Sequence, residues 1–289
     1  MSRVAVVTDT TQYLPAEMLD AHGIRTVSLY IDHGDRKERE ADITDLDAYY
    51  GRLRDADPLP KTSAPSIGDF LDVYEPLLAE GRDIVSIHLS GGISGTVGIA
   101  QQAAEQAQSR HPDRKVRVID SRSACGGMGL SVLAAGVAAK AGADLDTVAN
   151  RATQAAEQAG IWFAVDTLEY LRRGGRIGGA QAWLGGALKI KPILTIRGEI
   201  TPIERVRTSR RAFERMVAFA EELREKGWDA WAVQHIQAPD VAEQLAERGR
   251  EIFGSDPLFV SEIGPVIGTH VGPGLLGVGG MPAALLRAD

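Results

Sequence analysis

Runs of apolar residues alternate with stretches of helical periodicity over the first 160 residues. The apolar runs predict strands, at residues 4–8, 26–31, 84–89 and 116–120. Apolar residues at helical spacing between them predict helices, as at 46–53, and a largely apolar helix is predicted at about 127–141. Strands that alternate with helices imply right-handed crossovers and a mostly parallel sheet. In such sheets ligands bind beyond the carboxyl ends of strands, which here are the loops at 8–11 and 90–96.

The pattern changes after residues 161–165, where glycine pairs appear. These pairs are Gly174–Gly175, Gly178–Gly179 and Gly185–Gly186. Beyond residue 165 we expect a hairpin at 193–206 and helices at 209–226 and from 239 onward. Two further strands are expected at 230–236 and 258–263. The glycine- and proline-rich segment 264–274 is predicted to be a loop.

Two domains are expected from this change of pattern and from the length of 289 residues. We predict an α/β protein whose N-terminal domain, residues 1–165, has a mostly parallel sheet flanked by helices. The C-terminal α/β domain, residues 166–289, is predicted to have a mixed sheet.

Composition narrows the class of protein further. Charged residues make up 25% and apolar residues 44%, which is typical of a globular protein. The single cysteine, Cys125, allows no intrachain disulfide, and no apolar stretch reaches the length of a membrane helix, so we expect a cytoplasmic protein. A net charge of −7 argues against nucleic-acid binding.

The segment 172–211 departs from this acidic balance. It contains ten lysines and arginines but only Glu199 and Glu204, and therefore carries a charge of +8. Two interpretations stay open, a solvated basic face and a local field that attracts an anionic ligand or an acidic partner protein.

Three segments combine hydroxyl groups, glycines or a histidine in ways that suit an anion. Residues 62–66 (Thr-Ser-Ala-Pro-Ser) precede a predicted helix N-terminus, although a plain capping loop explains them equally. Residues 88–96 lie at the end of a predicted strand. They contain Ser94 and several glycines, which let the backbone approach a ligand. His270 lies in the segment predicted to be a loop. No phosphate-binding loop or metal-ligand spacing is present, and the G-x-G-x-x-G at 272–277 does not follow a predicted strand.

These segments, taken in order, resemble the DegV family of bacterial fatty-acid-binding proteins. The resemblance rests on motifs spread over nearly the whole chain, at residues 6–11, 62–66, 88–96, 118–121, 166–176, 191–194, 206–207 and 264–274. Ala64 and the loop 90–97 depart from the usual pattern of the family.

The resemblance implies one bound long-chain fatty acid, no cofactor and no metal. It also implies a separate fatty-acid kinase as partner, which phosphorylates the bound carboxylate to an acyl phosphate for phospholipid metabolism. By motif match, Thr62, Ser94 and Gly95 hold the carboxylate. Arg173, Arg176, Arg207 and His270 are expected near the head group or at the kinase-docking surface. The implied protein is not an enzyme and makes at most transient contact with a membrane.

The chemistry of a fatty acid agrees with these residues. Burying its tail contributes ~0.8 kcal/mol per CH₂, whereas its carboxylate needs hydrogen-bond donors wherever it is buried. Neutral hydroxyls supply donors while leaving the group accessible. Three other hypotheses remain: a serine hydrolase with Ser94 beside a histidine, a subunit similar to that of dihydroxyacetone kinase, and a regulatory protein for another anionic amphiphile.

Overall fold

The computed structural model describes residues 3–184 and 190–288. Its first sheet has four parallel strands in the order β2-β1-β6-β7, at Arg25–Val27, Val4–Asp9, Asp83–His88 and Val116–Asp120. Residues alternate between the two faces of each strand, so Ala5 and Val7 point to one apolar layer and Val4 and Val6 to the other. The predicted parallel sheet of the N-terminal half is confirmed.

Helices cover both faces of this sheet. Two of them, α3 (Ile67–Ala79) and α4 (Thr96–Arg110), pack on one face. The helices α5 (Cys125–Lys140) and α6 (Leu145–Gln158) pack on the other. Ser66 begins α3 with a capping box to Asp69, which satisfies backbone N–H groups that the first turn leaves free.

The second sheet is mixed and has six strands in the order β10-β9-β8-β13-β11-β12. Their bounds are Glu199–Val206, Lys191–Arg197, Gly160–Ala164, Leu276–Met281, Ala230–His235 and Val260–Glu262. The pair β11–β12 is parallel and the other pairs are antiparallel. The hairpin predicted at 193–206 is confirmed as β9–β10. The helices α8 (Ser209–Glu225) and α9 (Pro239–Phe253) cover one face of this sheet.

Helix α5 lies between the two sheets and is buried on all sides. It contacts β1 and β6 of the first sheet and β8, β11 and β13 of the second. Its first residues are small (Cys125, Gly126 and Gly127), so the second sheet can approach its N-terminal turn closely. A helix that is apolar on every face is expected in such a place.

A small antiparallel sheet and four short helices complete the structure. The sheet has the order β4-β3-β5, at Lys37–Arg39, Tyr30–Asp32 and Lys61–Ser63. The short helices are α1, α2, α7 and α10, at Ala16–His22, Leu46–Arg54, Glu169–Arg173 and Pro265–Val271. Four 3₁₀ turns lie at Thr10–Gln12, Glu40–Asp42, Gly178–Trp183 and Ala283–Leu286.

Two expectations from the sequence pattern need correction. The single strand predicted at 26–31 is two strands, β2 and β3, in different sheets. The predicted loop 264–274 contains α10, and the glycine-rich segment after it is β13, a central strand of the second sheet. Both were missed because their stabilising partners are distant in the chain, so local propensity does not indicate them.

The domain boundary at residue 165 stays a prediction. Strand β8 (Gly160–Ala164) precedes it but is hydrogen-bonded within the second sheet, between β9 and β13. The predicted glycine pair Gly185–Gly186 and the basic residue Lys189 lie outside the described residues. Within the ranges 3–184 and 190–288, no helix is long and apolar enough to cross a bilayer.

Candidate ligand-binding site

A cavity of about 1100 Å³, counting its open mouth, lies between the N-terminal end of α5 and the inner face of the second sheet. Most residues of its wall are apolar, including Leu89, Leu130, Ile196, Val271 and Leu275. The cavity therefore suits a ligand that is largely hydrocarbon.

The floor of the cavity is a trough along β13. Two rows of paired residues cross from β11 over β13 to β8, namely Ala232–Gly279–Ile161 and Gln234–Gly277–Phe163. The middle residue of each row is glycine, so β13 itself places no side chain in the cavity at these two rows. A Cβ atom at Gly279 would lie 2.5 Å from Ile161 Cγ2, so the side chain of Ile161 leans over this glycine.

Polar groups gather at one end of the cavity. Thr62 Oγ1 and His270 Nε2 form a hydrogen bond of 2.7 Å between β5 and α10. The imidazole of His270 packs directly on Gly174, where a Cβ atom would overlap Nδ1. Arg176 joins this cluster to the loop 90–95, because its guanidinium donates to the carbonyl oxygens of Gly174 at 2.8 Å and Ile93 at 3.3 Å. The cavity-lining residues Thr62, Ser94, Gly95, Arg176 and His270 are therefore neighbours, and we call them the head-group cluster.

Within residues 3–184 and 190–288, two polar atoms at this end are buried without a hydrogen-bond partner. They are Ser63 Oγ and His270 Nδ1, and both residues line the cavity. A buried polar atom left unpaired costs free energy, so such atoms are expected to meet a polar ligand group or water. Burial, and to a smaller extent the positive charge of Arg176, lowers the pKa of His270 to about 4. His270 is therefore neutral at pH 7 and offers one N–H and one lone pair.

The Ser94 hydroxyl points within its own loop. Ser94 Oγ lies 2.9 Å from Thr96 Oγ1 and 3.3 Å from the backbone N of Thr96. Ser90 Oγ donates to the Gly198 carbonyl and so ties this loop to the β9–β10 turn. Among the described residues, no histidine is hydrogen-bonded to Ser94. The pairing that the serine hydrolase hypothesis requires is therefore not formed in this structure.

The other basic residues singled out in the sequence lie outside the cavity wall. Arg173 is exposed and donates to Asp57 Oδ1 at 2.8 Å. Arg207 is exposed at the end of β10, seven residues from Ile200, which does line the cavity. At ~3.3 Å per residue, that separation is roughly 23 Å along the strand. Neither arginine is among the residues that line the cavity.

Ion pairs reduce the surplus of positive charge in the basic segment. Arg172, Arg173, Lys191, Arg210 and Arg211 each pair with an acidic residue from outside residues 172–211. Arg205 lies over the ring of Trp183. Arg197 and Arg207 have no ion pair within the described ranges, and both are exposed. The electrostatic field around residues 172–211 therefore comes from fewer unpaired cations than the sequence suggests.

Sequence reasoning missed the residues that form the tail end of the cavity. Gln234 is buried in its wall, and its amide is satisfied by Gly126 N at 2.5 Å, Ser261 Oγ at 3.0 Å and the Tyr13 carbonyl at 3.4 Å. The glycine spacing of 277 and 279 was the available signal, since alternate glycines on one face of a strand mark a close approach. No group of three or more potential metal ligands occurs in the part of the chain that the structure describes.

Comparison with known proteins places this chain in a family. The model of the DegV family, described as uncharacterised proteins, matches residues 3–283. A DegV domain-containing protein of Streptomyces coelicolor is 42% identical over 282 residues, which cover 96% of this chain and 98% of that protein.

Two solved structures share the whole fold with this chain. One, which concerns fatty-acid binding of a DegV family protein from Thermus thermophilus, has a TM-score of 0.85 and 32% identity and covers 97% of this chain and 99% of its own. The other is of DegV, a fatty acid binding protein from Bacillus subtilis, with a TM-score of 0.85 and 33% identity, covering 97% and 100%.

Proposed function

The chain belongs to the DegV family, and on that premise we propose that it binds one long-chain fatty acid in the cavity between α5 and the second sheet. The tail lies in the trough along β13, and the carboxylate meets the head-group cluster. The fatty acid is a bound ligand, and the protein has no catalytic role of its own.

One observation carries this proposal: the cavity is apolar along the trough and has unpaired polar atoms at one end, Ser63 Oγ and His270 Nδ1. That distribution matches an amphiphile with a single polar group. A buried chain of about a dozen CH₂ groups contributes on the order of 10 kcal/mol before the cost of association. Because Thr62 Oγ1 and the neutral His270 share one hydrogen bond, the pair has one proton left for a carboxylate, from the Thr62 hydroxyl or from His270 Nδ1 according to the tautomer. The unpaired Ser63 hydroxyl supplies a second donor.

A comparison of oleic acid with its methyl ester tests the head-group assignment. Both ligands have the same tail, but the ester has no charged oxygen to accept charge-assisted hydrogen bonds, each worth about 1.5–3 kcal/mol. We expect oleic acid to bind at least tenfold more tightly than its methyl ester. Both affinities are measured by displacement of a fluorescent fatty acid, cis-parinaric acid. Equal affinities would show that the cavity selects only for the tail, and would contradict the head-group assignment.

The proposal extends to a protein partner. The bound carboxylate is presented to a separate fatty-acid kinase, which forms the acyl phosphate, and the face around Arg207 docks that kinase. Arg207 is exposed, does not line the cavity and is without an ion pair in the described ranges. A cation in that setting changes the rate of encounter with an acidic partner while leaving a distant ligand site unaffected.

Charge reversal at Arg207 separates docking from ligand binding. In an assay of acyl-phosphate formation with a purified bacterial fatty-acid kinase, Arg207→Glu is expected to raise the KM for the loaded protein about tenfold. Its affinity for oleate should match the wild type. The control is Arg54→Glu, a reversal at an exposed position of α2. A wild-type KM for Arg207→Glu would contradict docking through this face.

A further inference from the structure

Helix α10 carries part of the head-group cluster, and its first turn is held from a distant part of the chain. Its N-cap residue, Gly264, has no side chain to accept the free N–H groups of that turn. The Val266 N–H instead donates to Glu40 Oε1 at 2.7 Å, and the Ile267 N–H donates to Tyr13 Oη at 3.2 Å. Tyr13 Oη in turn donates to Glu40 Oε1 at 2.7 Å. Glu40 therefore caps a helix that lies 226 positions later in the sequence.

The helix has little stability of its own. It has only seven residues, and two of them, Gly268 and Thr269, disfavour helix. Tyr50 Oη donates to the carbonyl oxygens of Ile263 and Gly264, just before the helix. Tyr49 Oη lies 2.5 Å from Thr269 Oγ1 within it. The position of α10 thus depends on side-chain hydrogen bonds from outside.

Glu40 is a buried carboxylate without a cation. The residue is 5% exposed, its second oxygen accepts a hydrogen bond from Thr10 Oγ1, and no ion pair involves it in the described parts of the chain. The titratable groups that face it are Asp9 on β1, Tyr13 directly after the first 3₁₀ turn, Tyr49 and Tyr50 on α2, and Cys125 on α5. Asp9 itself pairs with the buried His88 at 3.0 Å. The helix N–H, the tyrosine and the threonine are therefore what stabilise the charge on Glu40.

The cap bears on the ligand site through the geometry of the helix. Val266 and His270 are four residues apart, so they lie on the same face of α10, and both line the cavity. A shift in the first turn therefore moves the imidazole that is hydrogen-bonded to Thr62. We propose that Glu40 is a positioning residue for the head-group cluster: its carboxylate fixes the start of α10, and protonation of that carboxylate loosens the site. This inference rests on the proposed function.

The protonation state of Glu40 changes near neutral pH. Burial raises its pKa from the usual 4.5 to about 7, against the opposing effect of its three hydrogen bonds. Because this folded-state pKa is above the unfolded value, the stability contributed by the proton is present below about 4.5 and is lost as the pH rises through about 7. A fall from pH 8 to pH 6 therefore does not destabilise the fold through Glu40, although it weakens the charge-assisted cap on α10. His270, with a pKa of about 4, stays neutral over this range.

Glu40→Gln tests the inference because it keeps the shape of the side chain and removes its titration. We expect the oleate affinity of the wild type, measured by displacement of cis-parinaric acid, to fall about fivefold between pH ~8 and pH ~6. The variant should stay at the weaker value at both pH values. Glu157→Gln on α6, an exposed position, is the matched control and should follow the wild type. Melting temperatures report whether each variant is folded.

Hydrogen exchange of the ligand-free protein gives a second readout. After correction for intrinsic rates, the peptide 264–272 should exchange about fivefold faster in Glu40→Gln than in the wild type at pH ~8. Tyr13→Phe, which removes the bridging hydroxyl but keeps the carboxylate, should also speed exchange. Unchanged exchange in Glu40→Gln, or a wild-type pH profile of affinity in that variant, would overturn the role of Glu40. A wild type that binds no fatty acid at either pH would instead overturn the proposed function, and the exchange rates would still decide whether Glu40 holds α10.

Discussion

Replacing Ala232 with phenylalanine is expected to weaken fatty-acid binding by roughly a hundredfold and leave the fold intact. Ala232 lies in the trough row that it forms with Gly279 and Ile161, and its side chain faces the cavity. A benzyl group there occupies space that the acyl tail requires. If it displaces about four CH₂ groups, the loss is about 3 kcal/mol, or roughly a hundredfold in affinity.

The stability of the same variant separates a blocked cavity from a damaged core. A large side chain forced into a packed interior costs about 1–3 kcal/mol, but one that enters a cavity has room. We therefore expect the melting temperature of Ala232→Phe to fall by no more than about 5 °C. Ala232→Val is the graded control and should weaken binding of longer chains more than shorter ones. Wild-type affinity for oleate in a folded Ala232→Phe variant would show that the tail does not lie along β13.

The second large effect is expected at Thr62. Thr62→Val keeps the volume of the side chain but removes the hydroxyl that is 2.7 Å from His270 Nε2. A hydrogen bond to a charged group is worth about 1.5–3 kcal/mol, so oleate should bind about ten- to a hundredfold more weakly. The variant should also discriminate less between oleic acid and its methyl ester, because the lost interaction is specific to the carboxylate.

Thr62→Ser provides the matched control, since it keeps the hydroxyl and removes only a methyl group. Its affinity should remain within about threefold of the wild type. Competition titrations with cis-parinaric acid give all three affinities under the same conditions. If Thr62→Val bound oleate as tightly as Thr62→Ser, the Thr62 hydroxyl could not be a ligand of the carboxylate.

The sequence pattern predicted those elements whose partners are near in the chain or whose apolar pattern is strong. The parallel strands of the first sheet, the apolar α5 and the β9–β10 hairpin belong to this group. Helix α10 does not, because its cap comes from Glu40 and its packing from Tyr49 and Tyr50. The residues at the start of this helix, Gly-Pro-Val-Ile-Gly, give no indication of those distant partners.

Prediction of the site was likewise limited to residues that have a local signal in the sequence. Hydroxyl groups next to strand ends and helix starts indicated Thr62 and Ser94, and the structure puts both in the cavity wall. The tail end was not predicted, because β13 has glycine at alternate positions and so resembles a loop in sequence. Arg207, which a motif match suggested near the head group or at the kinase-docking surface, does not line the cavity, and its role stays a prediction.

Identification of the lipid that the purified protein carries is the most direct test of whether the protein binds a long-chain fatty acid. The protein is purified from a bacterial host and denatured, and the extracted lipid is identified by mass spectrometry beside a Thr62→Ala/Ser94→Ala double variant. We expect close to one equivalent of free long-chain fatty acid in the wild type and a marked depletion in the double variant. A folded, monodisperse wild type that yields no fatty acid and takes up none when oleate is added would contradict fatty-acid binding by this protein.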